Sequence, residues 1–287
     1  MVAPPKWLVA VYLCAVAIPS ASVDQSIEDA WLDIHSEATQ SAVREREARI
    51  LEELAGAELD EWTGEYQFGD GLGVNVRLLF APKAGFVYSW SGCFGQYDLN
   101  YGGIEWRKNG LSLRLERPYK HEALRGLPSE LIPVRWGERH YLIAPDNMIN
   151  FANAVNAGFE PCPPCLRFLL KTGDEHKAVA GGPDLPDQFK HYLLEEPIDA
   201  RVLSLGETRA GEERITRLIV DKGSMHGMFP GMKLHASQPR YLLAEIIVTR
   251  VDTQASEITI EQFDPDDPLP SLDWTFSTRA TAGDTLD

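Results

Sequence analysis

The sequence predicts a mainly β fold with an N-terminal helix, that is, a β-rich α+β protein. Apolar residues recur at helical spacing near the start of the chain, whereas from Trp62 onward most of them alternate with polar residues. Turn signals rich in Gly, Pro, Asn and Asp separate the alternating stretches. A domain boundary between residues 182 and 197, next to a Gly- and Pro-containing loop at residues 181–186, separates an antiparallel meander or barrel-like domain from a small C-terminal β-barrel or sandwich.

The first 22 residues have the three-part layout of a secretory signal. Lys6 precedes an apolar run at residues 7–18, and small residues follow at 19–22. The run has about twelve residues, whereas about twenty are needed to span a bilayer. We therefore expect a signal peptide at 1–22, cleaved near Ala21 or Ser22, and an exported protein that is periplasmic or secreted. A retained signal that contacts the membrane, or a lipid anchor on Cys14, are the alternatives.

Residues 23–60 are predicted to form a helical arm, as one helix or two. The favoured interpretation is that its apolar stripe packs on the domain that follows, because the opposite face is rich in Glu and Arg. The alternative is self-association, in which the helix pairs with a second copy of itself. The stripe consists of Ile27, Trp31, Ile34, Ala38, Val43, Ile50, Leu51 and Leu54.

Residues 61–190 are predicted to form the antiparallel meander domain. Turns are expected at residues 82–85 and 92–95, and Asn109-Gly110 is a strong hairpin signal. Three strands are marked by alternating apolar residues: Val74, Val76 and Leu78; Phe86, Tyr88 and Trp90; and Leu111, Leu113 and Leu115.

The second half of this domain is predicted to mix strands with short helices. A hairpin joins residues 131–134 to 141–143 through a turn at 136–138, and a strand is expected at 166–171. A short helix near 146–157 would be capped by Asp146 and stopped by Gly158. Another short helix is expected at 187–194.

Residues 197–287 are predicted to form the small C-terminal β domain. Five segments have the composition of short strands, with Gly- and Asp-rich turns between them. They are residues 201–205, 214–220, 232–235, 242–251 and 258–262.

The first β region resembles the meander of small lipocalin-like barrels in bacterial envelope proteins. The likeness lies in the run at residues 78–86, in Ile104-Glu105-Trp106 and in the run from Asn109 to Leu113. These families use the pattern for packing and turns. The resemblance therefore implies a fold rather than a function.

The C-terminal region resembles a Gly-rich strand-loop-strand in small β domains of envelope proteins, including the periplasmic rod-shape-determining scaffold family. The likeness lies in residues 219–232, followed by the strand at 245–248. His226 stands where that pattern commonly has an Asp. The resemblance implies an interaction or scaffold domain, and no catalytic residue carries over from it.

Gly223, Gly227 and Gly231 are predicted to serve successive turns. Their spacing of four suits positive φ or close backbone approach. A phosphate-binding loop would instead open a helix and place a Lys just after the glycines. Because a strand is expected after Gly231, the structural interpretation is preferred.

The cysteines are the most chemically suggestive residues. Cys162 and Cys165 enclose two prolines, a spacing that also occurs in thiol-redox enzymes. The context is wrong for a thioredoxin-like fold, because a helix rather than a strand precedes the pair. With Cys93 they are candidates for a structural disulfide, and the pairing is not decided by the sequence. No metal site is predicted, because a second cysteine pair or His-x-x-His is missing.

Composition narrows the function. The chain has 27 Lys and Arg against 43 Asp and Glu, a net charge of −16, which makes nucleic acid an unsuitable partner. The favoured hypothesis is a non-catalytic exported envelope protein with a binding or scaffold role, without a cofactor, whose partner is another envelope protein or a cell-wall component. The alternatives are a thiol-redox enzyme that uses Cys162 and Cys165, and a carrier of a small apolar ligand.

Overall fold

The computed structural model describes residues 33–56, 60–69, 71, 73–108, 110–117, 126–161, 168–210, 214–240, 242, 244–264 and 266–280. The predicted signal peptide and the pair Cys162 and Cys165 lie outside these residues. Among the residues described, no helix is both long and apolar enough to cross a membrane.

Two α-helices and fourteen β-strands are present in this part of the chain. In chain order they are α1 Glu37–Gly56, β1 Gly64–Gly69, β2 Val74–Ala81, β3 Gly85–Gly92, β4 Gly95–Arg107, β5 Gly110–Leu115, β6 Glu130–Trp136, β7 Arg139–Ile143, α2 Met148–Ala157, β8 Leu169–Lys171, β9 Asp199–Ala210, β10 Arg214–Val220, β11 His235–Gln238, β12 Ala244–Val251, β13 Ser256–Gln262 and β14 Thr275–Ser277.

Strands β1 to β8 form a closed antiparallel barrel, which confirms the predicted meander. Each strand pairs with the next, and β8 returns to β1, with Tyr66 opposite Lys171. One buried cluster takes residues from seven of the eight strands, and β4 adds a partly buried residue that packs against it, so the cluster fills the barrel interior. Its largest members include Tyr66, Phe80, Phe86, Tyr88, Leu78, Leu111, Leu131, Leu142 and Leu169, with Ile104 packed against it.

Helix α1 lies on the outside of this barrel. Val43 and Ile50 are buried against the outward-facing residues Leu79, Val87 and Leu99 of β2, β3 and β4. Leu51, which the sequence placed on the apolar stripe, is instead 50% exposed. It follows Ile50 directly, and a residue one step along a helix points about 100° away.

Helix α2 begins differently from the prediction. Residues Pro145–Asn147 form a 3₁₀ turn, and no side chain caps the start of the α-helix, so Asp146 is not the cap. Gly158 ends the helix with a φ of 86° and donates its backbone N–H to carbonyls of the last turn. The helix expected at 187–194 is only a 3₁₀ turn at Lys190–Tyr192.

The C-terminal β unit is a curled six-stranded sheet in the order β11-β14-β9-β10-β13-β12. The strand expected at 232–235 lies three residues later, as β11. Because Gly231 turns the chain with a φ of 85°, residues 231–234 make only one β-bridge, from Lys233 to Ile247. They still bond to β12 through the Leu234 N–H and the Ile246 carbonyl (2.9 Å). Residues 231–234 thus contact one edge strand, β12, and lead directly into the other edge strand, β11.

Strands β1 and β14 were not predicted from the sequence. β14 has only three residues, and alternation cannot be recognised over so short a stretch. β1 is marked by glycines at both ends and has intermediate burial at five of its six positions. Both are defined by the neighbours they pair with.

Candidate functional site

A polar cleft opens on the outer side of the C-terminal sheet. Its volume is about 700 Å³, and it lies where β9, β11 and β14 meet the turn that follows β10. It is lined by Asp199, Ala200, Arg201, Asp221, Lys222, Ser237, Thr275 and Phe276. Since these residues come from four separate parts of the chain, no sequence motif marks the cleft.

Asp221 fixes the position of the turn beside β9. Its carboxylate accepts a hydrogen bond from the backbone N–H of Arg201 (2.8 Å), and its own N–H donates to the Arg201 carbonyl (3.0 Å). The ammonium of Lys222 lies 3.7 Å from the same carboxylate. Asp221 is therefore largely committed to holding the turn against the strand.

Asp199 and Arg201 remain available for a ligand. They flank Ala200, whose side chain is buried in the sheet core, so alternation directs both charged residues to the outer side. Both are exposed, and within the part of the chain that the structure describes neither side chain has an ion-pair partner. The cleft thus offers one free carboxylate and one free guanidinium, two residues apart.

The three predicted turn glycines lie near this region. Gly227 and Gly231 have φ values of 90° and 85°, which favour glycine. Gly223 has an extended backbone, but a Cβ atom there would come within 2.4 Å of the Asp252 carbonyl oxygen. His226 closes the same turn, because its Nδ1 accepts a hydrogen bond from the Gly223 N–H (3.1 Å). These residues shape the turns and add no reactive group.

A second polar cluster, not predicted from the sequence, lies beside the turn between β6 and β7. Nδ1 of His140 donates to Asp174 Oδ2 (2.8 Å), and the Asp174 side chain is 2% exposed. Lys177 pairs with the other carboxylate oxygen (2.6 Å). Arg135 donates to Nε2 of His140 (3.1 Å) and also pairs with Glu61.

The electrostatics of this cluster follow from its contacts. Burial alone would raise the pKa of Asp174, but hydrogen bonds from Lys177 and His140 outweigh it and hold the pKa below the usual carboxyl value. Burial, with the charge of Asp174 nearby, raises the pKa of Tyr66 far above its ordinary range. No local sequence pattern marks the pair, because His140 and Asp174 are 34 positions apart.

The geometry of His140 suits a structural role. Both ring nitrogens are engaged, one with Asp174 and one with Arg135. An imidazole acts as a general base only when one nitrogen can reach the proton it removes. The cluster instead ties β6 and β7 to the turn after β8 and to the segment before β1.

The predicted thiol chemistry is not seen in the described residues. Cys93 lies on the exposed turn between β3 and β4, and Cys162 and Cys165 lie outside the described residues. The described part of the chain contains no disulfide, so the bridge stays a prediction. In the same residues, no group of three or more His, Cys, Asp or Glu side chains could hold a metal ion.

Comparison with protein-family models, with curated proteins and with solved structures finds no match for this chain. The geometry of the cleft is therefore the evidence for its function.

Proposed function

We propose that this chain is a non-catalytic binding protein of the cell envelope, and that an extended segment of another envelope protein occupies the cleft. The observation that carries the proposal is the cleft itself. It is open to solvent, measures about 700 Å³ and keeps Asp199 and Arg201 free for a ligand.

The free charges favour a polypeptide as the ligand. A partner must supply a cation to Asp199 and an anion to Arg201, and side chains of opposite charge on an extended peptide do this. Ser237 and Thr275 have short side chains, which allow a peptide backbone to approach the sheet. Nucleic acid fits poorly, because the chain has a net charge of −16.

The envelope location comes from the predicted signal at residues 1–22. Export would place Cys93, Cys162 and Cys165 in an oxidising compartment, where a structural disulfide among them is expected. Both the location, in the periplasm or outside the cell, and the disulfide therefore depend on the proposed export.

The filled barrel counts against the carrier of a small apolar ligand. Carriers of this kind hold the ligand in a cavity inside the barrel. Here Tyr66, Phe80 and Phe86 are each fully buried inside β1–β8. The redox alternative gains no support from a described residue, because its two cysteines lie outside the described part.

Site-specific photo-crosslinking of the full chain tests the proposal. A benzophenone side chain at Ser237 should form an adduct with one protein in the envelope fraction of expressing cells. The matched control carries it at Leu269, which is 63% exposed and does not line the cleft. No adduct at Ser237, or equal adducts at both positions, would contradict the proposal.

Charge reversal identifies the groups that bind. The double change Asp199→Lys and Arg201→Glu should lower the Ser237 adduct by about ten-fold, because two complementary contacts become repulsive. The same reversal of the exposed pair Arg250 and Asp252, 3.4 Å apart, should leave the adduct unchanged.

A further inference from the structure

Strand β9 is longer than strand β14, which pairs with only its first three residues. β14 pairs only with Asp199 to Arg201, and the last contact on that side is from the Val202 N–H to the Trp274 carbonyl (3.4 Å). From Leu203 to Arg209 every residue is exposed. Within the residues the structure describes, this stretch pairs only with β10. Its other edge is a row of backbone groups open to a further strand.

The two halves of this free edge differ in regularity. Around Gly206 the register with β10 shifts, which is the mark of a β-bulge, and bulges blunt an edge against pairing. Thr208 to Ala210 pair without a shift with Thr216 to Arg214. A second strand would therefore add most easily around Thr208.

The residues on either side of Thr208 carry opposite charges, so this stretch can complement a second copy of itself. The guanidinium of Arg209 lies 3.6 Å from the carboxylate of Glu207, so both side chains lie on one face. Thr208 contacts Thr216 through the two hydroxyl oxygens (3.2 Å), on the opposite face. An antiparallel pairing about a two-fold axis at Thr208 would place Glu207 of each copy opposite Arg209 of the other, and opposite charges facing each other across two strands stabilise a sheet.

We propose that the β9 edge is a dimerisation surface that pairs two copies of this chain antiparallel about a two-fold axis at Thr208. Such a contact is isologous, as in most homodimers. The edge is locally neutral, with one Glu and one Arg, whereas each whole chain carries −16. The paired Glu and Arg residues therefore add attraction between the copies at this edge. Because only a few residues pair, the dimer is weak and depends on concentration.

Sedimentation of the full chain, up to about 1 mM in physiological salt, tests the proposal. The wild type should dimerise. Glu207→Arg alone and Arg209→Glu alone should each weaken dimerisation by about ten-fold, because like charges then face each other across the axis. An equimolar mixture of the two variants should recover dimerisation, since the first presents two cations and the second two anions.

The mixture separates this contact from a local effect. Each single variant lacks the Glu207–Arg209 pair within its own strand, and mixing does not restore that pair. Arg250→Glu, an exposed reversal on the same sheet, should dimerise like the wild type. A wild type that stays monomeric, single variants that dimerise fully, or a mixture that stays monomeric would each overturn the proposal.

Discussion

At the scale of single residues, the buried carboxylate of Asp174 holds β7 to the turn that follows β8. Its carboxylate accepts hydrogen bonds from both the backbone N–H and the ring of His140 (2.8 Å each) and pairs with Lys177. A carboxylate with this little exposure is stable in the charged form only because these donors replace water. Asp174 is therefore ionised in the folded protein, and its charge stabilises the fold.

The lowered pKa of Asp174 gives a pH dependence of known sign. In the unfolded chain the pKa of this carboxyl is about 3.9. Its contribution to folding stability is therefore fully present above that pH and is lost as the pH falls through the lower pKa of the folded state. We expect Asp174→Asn to lower the free energy of unfolding by about 1–3 kcal/mol at pH 7. The difference from wild type should shrink between about pH 5 and pH 2 in urea unfolding.

A matched change tests whether burial is the cause. Asp187 forms a similar ion pair with Lys190 (2.7 Å), but its side chain is 95% exposed. Lys190 lowers the pKa of Asp187 as well, but water screens this exposed pair, so Asp187→Asn should change the free energy of unfolding far less than Asp174→Asn at every pH. A loss equal to that of Asp174→Asn would show that burial of the carboxylate is not what matters.

At the scale of elements, helix α1 depends on the barrel it covers. Helix α1 has 20 residues, and most of the stability of a helix in a protein comes from packing of its apolar side. Ile50 is completely buried against β2 and β3 and belongs to the cluster that includes Leu79 and Val87. This packing is the favoured of the two interpretations of the arm, and it occupies the face that self-association through the helix would need.

Ile50→Ala should therefore lower the free energy of unfolding by about 2–5 kcal/mol, because it removes buried methyl groups and leaves a cavity. Leu51→Ala, at the next position of the same helix, should cost much less, because that side chain is half exposed. Urea unfolding of the two variants measures the difference. Equal losses would mean that the helix does not pack on the barrel in solution.

At the scale of the whole molecule, α2 joins the two β units. Its Asn153 side chain donates to the Gly231 carbonyl (2.9 Å) and accepts from the Lys233 N–H (3.1 Å). Phe151, on the same helix, is buried in a cluster with Ile132 and Tyr141 of the barrel. One helix thus touches both units, so the barrel and the curled sheet are not independent.

Asn153→Ala leaves two backbone groups of the C-terminal unit without their partner. We expect the wild type to unfold in one thermal transition, and the variant to lose about 1–3 kcal/mol and to unfold in two. Asn150→Ala, on an exposed position of the same helix, should change neither. Calorimetry distinguishes these results, and an unchanged single transition for Asn153→Ala would mean that the two units are held together by other contacts.

Much of the fold was predictable because alternation and turns are local properties. Strands β2, β3 and β5 were recognised by their spacing, and Asn109-Gly110 marked the hairpin between β4 and β5. Asp146 was a wrong cap because the 3₁₀ turn at Pro145–Asn147 begins the helix in another way. β14 was missed because three residues carry no period.

The sequence by itself determined that this chain is mainly β, with a helix before a meander and a second β unit after residue 197. These properties depend on side-chain periods within a few residues. Only the tertiary structure decided that the meander closes into a barrel, that His140 meets Asp174, and that Asp199 and Arg201 share a cleft with Lys222. Each of these depends on contacts between residues far apart in the chain, and the register of such contacts is set by packing rather than by local pattern.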